Sequence, residues 1–301
     1  MGVDLVRAHQ ALYGEAKPVL HFVVLGDSVA VGGSGANDGH ACDVGVAWVV
    51  QHNGSIRSTA RMSKANSYIG SWSGWTYLAQ ELYDLTGQRS IWTFIHKSSL
   101  TITKEAAPTR HLDFAYPGTE DGNFFWDSSE DYSRHDMFDR VLDIIADSPG
   151  WNVTARHLIW WGGATDAAAL HDTTIDQSRI VGAYEDMLAY WKANYGASKL
   201  FIMGSGEIGT DEADAAYEQA NSRDMAGLRA AQVTAASSTD IHTAFEQNPL
   251  RAATYNTFTV DGNGYWTAGQ ERYDGAHNVE AFNKAACKLA AFNIATALGL
   301  L

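Results

Sequence analysis

Short runs of apolar and β-branched residues alternate along this chain with longer stretches whose apolar residues recur at helical spacing. This alternation is typical of an α/β fold, in which helices connect the strands of a parallel sheet. Four runs, at residues 19–25, 90–96, 157–161 and 199–203, are interpreted as buried strands. Each run ends in small or polar residues, and ligands of open parallel sheets bind at the carboxyl ends of the strands. We therefore expect the functional residues just after these runs.

The remaining segments complete one domain that spans residues 1–301, with two insertions. Helical spacing predicts helices at 75–85, 138–145, 178–195, 211–236 and 278–298. Asn53-Gly54 follows an alternating run and predicts a β-hairpin insertion near 44–60. The segment near 106–136 is polar, contains glycine and is rich in aromatic residues, which predicts a long functional loop. No linker separates these parts.

The composition limits the possible partners. The chain has 21 Lys+Arg and 35 Asp+Glu, which gives a net charge of −14. Its basic residues are scattered, so we expect no nucleic-acid partner and no anionic membrane surface. No run approaches the roughly 20 apolar residues of a membrane span. The first residues lack the apolar core of a signal peptide, which leaves a cytosolic protein, a trimmed mature form and an excised domain open. The oligomeric state is also open.

The first strand runs into Gly26-Asp27-Ser28. A serine at the carboxyl end of a buried strand stands where an exposed nucleophile is needed, and its backbone N–H can serve as an oxyanion donor. The alternative is that Ser28 only caps a following helix. The tripeptide by itself does not decide between the two.

A second candidate constellation, Asp274-Gly275-Ala276-His277, precedes the last predicted helix. A hydroxyl nucleophile needs a base, and the base needs a group that fixes its tautomer. An aspartate three residues before a histidine can accept a hydrogen bond from Nδ1–H, which leaves Nε2 free for the serine proton. Alternatively, Asp274 only caps the turn.

Taken together, these two motifs resemble the ends of the SGNH (GDSL-like) hydrolases. Within that superfamily, the segment 158–167 and the hairpin near Asn53 are most similar to the sialate O-acetylesterase-like carbohydrate acetylesterases. The resemblance extends from about residue 20 to residue 298. It implies a three-layer α/β/α sandwich of the flavodoxin-like SGNH type, with a central parallel sheet of about five strands. It also implies a triad of Ser28, His277 and Asp274.

The oxyanion donors depart from the pattern of that family. The family usually has G-x-N-D in its third block, whereas this chain has Thr165 in the position of the asparagine. The family's second block supplies a glycine amide, whereas this chain has Lys97-Ser98-Ser99. We expect the oxyanion to be held by the N–H groups of Ser28 and Ser98 and by the turn at Gly163 and Thr165.

Other side chains are candidates for substrate contacts or for a different chemistry. Sugar faces stack on aromatic rings, so Trp72, Trp75, Trp126 and Trp266 are candidates for a glycan platform, with core packing as the alternative. Asp27 adjoins the nucleophile and is expected to contact substrate. Glu207 and Asp211 form a weaker candidate carboxylate pair for glycoside hydrolysis.

Three further residues are expected to be structural. His21 lies inside the first strand, where a hydrogen-bonded core histidine is expected. Cys42 and Cys287 belong to no metal-binding pair. They are interpreted as two buried thiols, with a disulfide as the alternative.

The sequence therefore predicts a serine esterase that acts on short acyl esters, with O-acetyl groups on carbohydrate as the expected substrate, and no metal or organic cofactor. The negative charge favours neutral glycans over strongly anionic ones. Three alternatives stay open: a lipase or thioesterase of the same superfamily, a catalytically weak glycan-binding module on the same scaffold, and a glycoside hydrolase.

Overall fold

The computed structural model describes residues 17–26, 42–43, 45–50, 56–58, 74–96, 101–103, 105–106, 133–147, 150–204, 223–245 and 284–301. The strands in these ranges are β1 (Lys17–Gly26), β2 (Ala47–Val50), β3 (Ile56–Ser58), β4 (Arg89–His96), β5 (Trp151–Trp161), β6 (Ala197–Met203) and β7 (Ile241–Phe245). The helices are α1 (Gly74–Thr86), α2 (Ser133–Ala146), α3 (Ala164–His171), α4 (Gln177–Tyr195), α5 (Met225–Ala235) and α6 (Lys284–Ala297).

The strands form a single sheet in the order β3-β2-β4-β1-β5-β6-β7. Every neighbouring pair is parallel except β2 and β3, which form an antiparallel hairpin. The predicted hairpin is thus confirmed, and its first strand also extends the main sheet beside β4. About five strands were expected, whereas the described residues form seven. The central order β4-β1-β5-β6-β7 is the flavodoxin-like one, and the direction of the strand order reverses at β1.

Helices cover both faces of this sheet. Alternate side chains of β1 point to opposite faces, as the period of a strand requires. Val23 and Leu25 pack in a core with α2, α3, α4 and α5, while Phe22 and Val24 pack in a second core with α1 and α6. The architecture is therefore the three-layer α/β/α sandwich that the sequence predicts.

The four predicted buried strands are all present, but one other expectation is wrong. A single helix at 211–236 is excluded, because Asp224 has φ −87° and ψ 75° and caps a helix that begins at Met225. Near the end of the segment in which a loop is expected, α2 begins at Ser133. Two elements, α3 and β7, were not predicted at all. Most of the 106–136 segment, the turn at Asn53-Gly54 and the start of the last predicted helix lie outside the described residues.

The expected core histidine is confirmed. His21 is fully buried, and its Nδ1 accepts a hydrogen bond from Arg156 Nε at 3.0 Å. Because the guanidinium can only donate, the proton of the ring lies on Nε2, which is 2.9 Å from Thr93 Oγ1. Burial, followed by the charge of Arg156, holds the pKa of His21 well below its usual range. The ring is therefore neutral and belongs to the core.

Several buried side chains resolve alternatives left open by the sequence. Cys42 and Cys287 are both buried and no disulfide joins them, which confirms the expectation of two buried thiols. Trp75, in the first turn of α1, is fully buried against Trp92 and Trp161 of the sheet, so it belongs to the core and not to a glycan platform. Trp160 is also fully buried. Among the residues that the structure describes, no helix has the length and apolar character needed to cross a bilayer.

Candidate functional site at the carboxyl edge of the sheet

The last residues of four adjacent strands, β4, β1, β5 and β6, lie side by side and are called the row of strand ends below. In the register of the sheet, Gly26 of β1 pairs with His96 of β4 on one side and with Trp161 of β5 on the other. Trp161 pairs in turn with Met203 of β6. These four residues are the last residues of their strands. Neighbouring strands lie about 4.8 Å apart, so the chain leaves the sheet at closely spaced points. The row includes β1, the switch point where ligands of such sheets bind.

Three of the predicted site residues closely follow these strand ends in the chain. Ser28, Ser98 and Gly163 each come two residues after the last residue of β1, β4 and β5, respectively. The structure describes Gly163 and Thr165 from the predicted set. The other predicted site residues lie outside the described residues: Asp27, Ser28, Ser98, Trp126, Trp266, Asp274 and His277. Trp72, Glu207 and Asp211 also lie outside them.

Gly163 forms the turn between β5 and α3. Its φ of 124° and ψ of 4° lie in a region that side chains disfavour, and it is the N-cap residue of α3. Its carbonyl accepts the first bond of the helix from Ala167 N at 2.8 Å. Thr165, the second residue of α3, is half-buried. The first turn of a helix carries backbone N–H groups that have no partner within the helix. The turn therefore presents donors next to the row of strand ends.

Two side chains of α5 and the residue that caps it hold this turn in place. Leu228 of α5 packs so closely on Gly163 that a Cβ added there would lie 2.9 Å from Leu228 Cδ2. Gln232 of α5 donates from Nε2 to the carbonyl of Gly162 at 3.4 Å and to the hydroxyl of Tyr184 at 3.2 Å. The backbone N–H of Asp224 donates to the carbonyl of Ala167 at 2.8 Å. The turn is thus fixed by packing and by hydrogen bonds on more than one side.

Asp166 links this turn to the loop after β4. Its side chain is fully buried, and its carboxylate accepts hydrogen bonds from the backbone N–H of Ile102 and from the backbone and hydroxyl of Thr103. Sequence reasoning noted Asp166 only as the last residue of the G-x-N-D block. A polar residue next to three alanines in an apolar helix was the available signal.

A shallow depression of about 590 Å³ lies elsewhere on the surface. It is lined by Glu105, Leu170, Ile175, Arg179 and neighbouring residues of the α3–α4 turn. Leu170 lies seven residues after Gly163, which corresponds to about 10 Å along a helix. The depression therefore lies near the carboxyl end of α3, at the opposite end of that helix from Gly163.

The arrangement suits the stabilisation of negative charge on an oxygen. Backbone N–H groups at the start of a helix lie at the positive end of its dipole, and donors that are already fixed need no reorganisation during a reaction. Within the described part of the chain, no three His, Cys, Asp or Glu side chains are grouped closely enough to hold a metal ion.

Comparison with known proteins gives matches in structure. No protein-family model matches the chain. No curated protein sequence matches it either. A protein from Arabidopsis thaliana superimposes with a TM-score of 0.53 at 11% identity, over 93% of this chain and 99% of that one. Est24, a carbohydrate acetylesterase from Sinorhizobium meliloti, has a TM-score of 0.45 at 13% identity over 92% of this chain and 99% of its own. NanS has a TM-score of 0.49 at 10% identity over 94% and 98%.

Because these sequence identities are low, the structural similarity is evidence for the fold alone. The Arabidopsis protein is matched over nearly its whole length, and the chain therefore shares a complete fold with it and not a fragment of one. Together with the strand order, this establishes that the chain has the three-layer α/β/α fold expected from its resemblance to the SGNH hydrolases.

Proposed function

We propose that the chain is a serine esterase that hydrolyses short acyl esters, and that its substrates are O-acetyl groups on carbohydrate. The observation that carries the proposal is the register of the sheet. Ser28, Ser98 and Gly163, expected to supply the nucleophile and the oxyanion donors, each come two residues after the end of β1, β4 or β5, and the last residues of these three adjacent strands pair with one another across the sheet. These strands surround the switch point, where ligands of this class of sheet bind.

In the proposed reaction, Ser28 Oγ attacks the ester carbonyl while His277 Nε2 takes its proton. Asp274 accepts a hydrogen bond from His277 Nδ1–H and stabilises the imidazolium. Collapse of the tetrahedral intermediate expels the alcohol of the sugar, which receives the proton from His277. Water, activated by the same imidazole, then releases acetate from the acyl-enzyme and restores Ser28.

The oxyanion donors are proposed to be backbone groups. The family's asparagine is replaced by Thr165, so the turn at Gly163 has to supply donors from its amides or from the hydroxyl of Thr165. The bracing of that turn by Leu228 and Gln232 supports this assignment, because fixed donors stabilise a transition state most effectively. The N–H groups of Ser28 and Ser98 complete the proposed set.

The substrate class is inferred from the net charge and from aromatic side chains. A net charge of −14 repels strongly anionic substrates, which favours neutral acetylated glycans. Asp27, Trp126 and Trp266 are proposed to contact the sugar, with the two indole rings stacking on its apolar faces.

The proposal is tested by measuring acetate release from acetylated polysaccharides. We expect Ser28→Ala to lose nearly all activity, and Ser237→Ala to keep it, since Ser237 lies on the surface after α5. Activity should be insensitive to a metal chelator. Release that is unchanged in Ser28→Ala would refute the mechanism and would favour a chemistry that does not use the serine.

The acyl group is tested separately with nitrophenyl esters from acetate to decanoate. The proposal predicts the highest kcat/KM for the short chains. Preference for the long chains would support a lipase or thioesterase of the same fold. Tight binding of a glycan without acetate release would support a binding module.

A further inference from the structure

Asp166 anchors the loop after β4 to the first turn of α3 through three hydrogen bonds. Oδ2 accepts a hydrogen bond from Ile102 N at 3.1 Å. Oδ1 accepts two, from Thr103 N at 3.2 Å and from Thr103 Oγ1 at 2.9 Å. The side chains of Asp166, Ile102 and Thr103 are all fully buried. A buried carboxylate is stable only when its oxygens are satisfied by donors, and this loop supplies three of them.

These bonds connect two segments that leave different strands. Thr103 belongs to the loop that follows β4, five residues after Ser98. Asp166 belongs to the first turn of α3, three residues after Gly163. The strands β4 and β5 are not neighbours, because β1 lies between them. Asp166 therefore joins segments that start about 10 Å apart, on the two sides of the strand that leads to Ser28.

We propose that Asp166 is a positioning residue of the active site. It holds the loop after β4 against the first turn of α3, and so fixes the distance between the oxyanion donors expected from the two segments. The catalytic part of this inference rests on the proposed esterase function. Asp166 itself touches neither substrate nor nucleophile in this account.

The chemistry of the anchor explains why a carboxylate is needed. All three partners are donors, and a carboxylate only accepts, so both of its oxygens can be used. An asparagine in the same place has one oxygen and one amino group. Whichever way the amide is turned, its amino group faces a backbone N–H of Ile102 or Thr103. Asp166→Asn therefore breaks part of the anchor with almost no change of volume.

The activity test compares kcat, KM and the rate at which a fluorophosphonate labels Ser28. In Asp166→Asn we expect kcat and the labelling rate to fall at least about tenfold, with KM changed less than about threefold, because small displacements of oriented groups reduce rates strongly. Thr103→Val, which removes the hydroxyl bond and keeps both backbone bonds, should give a smaller loss. It also serves as the test if Asp166→Asn does not fold.

The matched control is Asp176→Ala. Asp176 caps α4 by accepting a hydrogen bond from Arg179 N at 2.9 Å, so its loss also destabilises a helix start. It should lower the midpoint of thermal unfolding and leave kcat unchanged. Equal losses of kcat in Asp166→Asn and Asp176→Ala, or an unchanged kcat in Asp166→Asn, would overturn the positioning role.

Hydrogen exchange tests the anchor independently of activity. In Asp166→Asn, a peptide that contains Ile102 and Thr103 should exchange at least about tenfold faster, whereas in Asp176→Ala it should not change. Unchanged exchange in Asp166→Asn would overturn the anchor. If the wild-type protein neither cleaves esters nor is labelled at Ser28, the proposed function fails together with the catalytic part of this inference, and exchange alone then decides whether Asp166 anchors the loop.

Discussion

Replacing Gly163 with alanine perturbs the turn between β5 and α3 in two ways that can be separated. The backbone at Gly163 has φ 124° and ψ 4°, which side chains disfavour. The new Cβ would also lie 2.9 Å from Leu228 Cδ2 and 3.1 Å from Leu228 Cδ1. Both contacts are closer than ordinary van der Waals separation, so Leu228 or the turn must move.

The two costs can be estimated separately. A residue other than glycine at such a φ costs about 1–3 kcal/mol. Overpacking by one methyl group costs a further amount of about 1–3 kcal/mol. We expect Gly163→Ala to lower the free energy of unfolding by about 2–6 kcal/mol, the sum of the two costs. The matched control is Gly196→Ala at the end of α4, where φ is 64° and no atom lies within 4 Å of the added Cβ. Its cost should be only about 1 kcal/mol.

The assay is urea unfolding at pH 7.5, followed by far-UV circular dichroism. Addition of Leu228→Ala to Gly163→Ala should give a double variant whose loss is smaller than the sum of the two single losses, because the clash disappears with the leucine side chain. Equal losses in Gly163→Ala and Gly196→Ala would refute the close packing described here. Strictly additive losses in the double variant would refute the clash specifically.

Two further predictions concern the pH dependence of stability and a helix cap. Burial, and to a lesser extent the charge of Lys199, lowers the pKa of His157 from 6.5 to about 4. Its contribution to stability is therefore complete above pH 6.5 and is lost as the pH falls towards 4, because the folded protein resists protonation of the ring. The free energy of unfolding should fall by at most about 3 kcal/mol at pH 4 through this group, and His157→Gln should flatten the pH dependence of the urea midpoint. A pH dependence that is unchanged in His157→Gln would contradict the lowered pKa of His157. At the start of α5, Asp224 Oδ1 accepts a hydrogen bond from Gly227 N at 2.7 Å, and a Cβ on Gly227 would lie 2.2 Å from Asp224 Oδ2. Gly227→Ala should therefore destabilise the wild-type protein, but it should stabilise the Asp224→Ala variant by about 1 kcal/mol because alanine favours the helix more than glycine does. If urea unfolding shows that Gly227→Ala stabilises both proteins, the clash is excluded.

Much of the fold could be predicted because its signals are local. The apolar run that ends at Gly26 predicts a buried strand, and the structure has the strand β1 there. Asn53-Gly54 indicates a hairpin from two residues alone. The pairing of that hairpin with β4 depends on contacts about 40 residues apart, which local patterns do not reveal.

The elements that were missed have weak or misleading patterns. Gly162 and Gly163 indicate a turn, and the eight-residue helix α3 after them is too short for a clear periodicity. The alanine-rich stretch around Asp224 favours a continuous helix by propensity, but the carboxylate of Asp224 competes for the backbone and starts a new helix instead.

The residues of the candidate site also differ in whether a local pattern could predict them. Gly163 could be predicted because a glycine directly after a buried strand indicates a turn. The role of Asp166 depends on donors at Ile102 and Thr103, more than 60 residues earlier in the chain, and only the tertiary structure brings them together.

The central claim is that Ser28 is the nucleophile at the switch point of the sheet. The most direct measurement is labelling of the folded protein with a fluorophosphonate, followed by peptide mass spectrometry to locate the adduct. The account predicts one adduct per chain, on Ser28, which disappears in His277→Ala while the protein stays folded. Absence of an adduct, or an adduct on another serine, would contradict it.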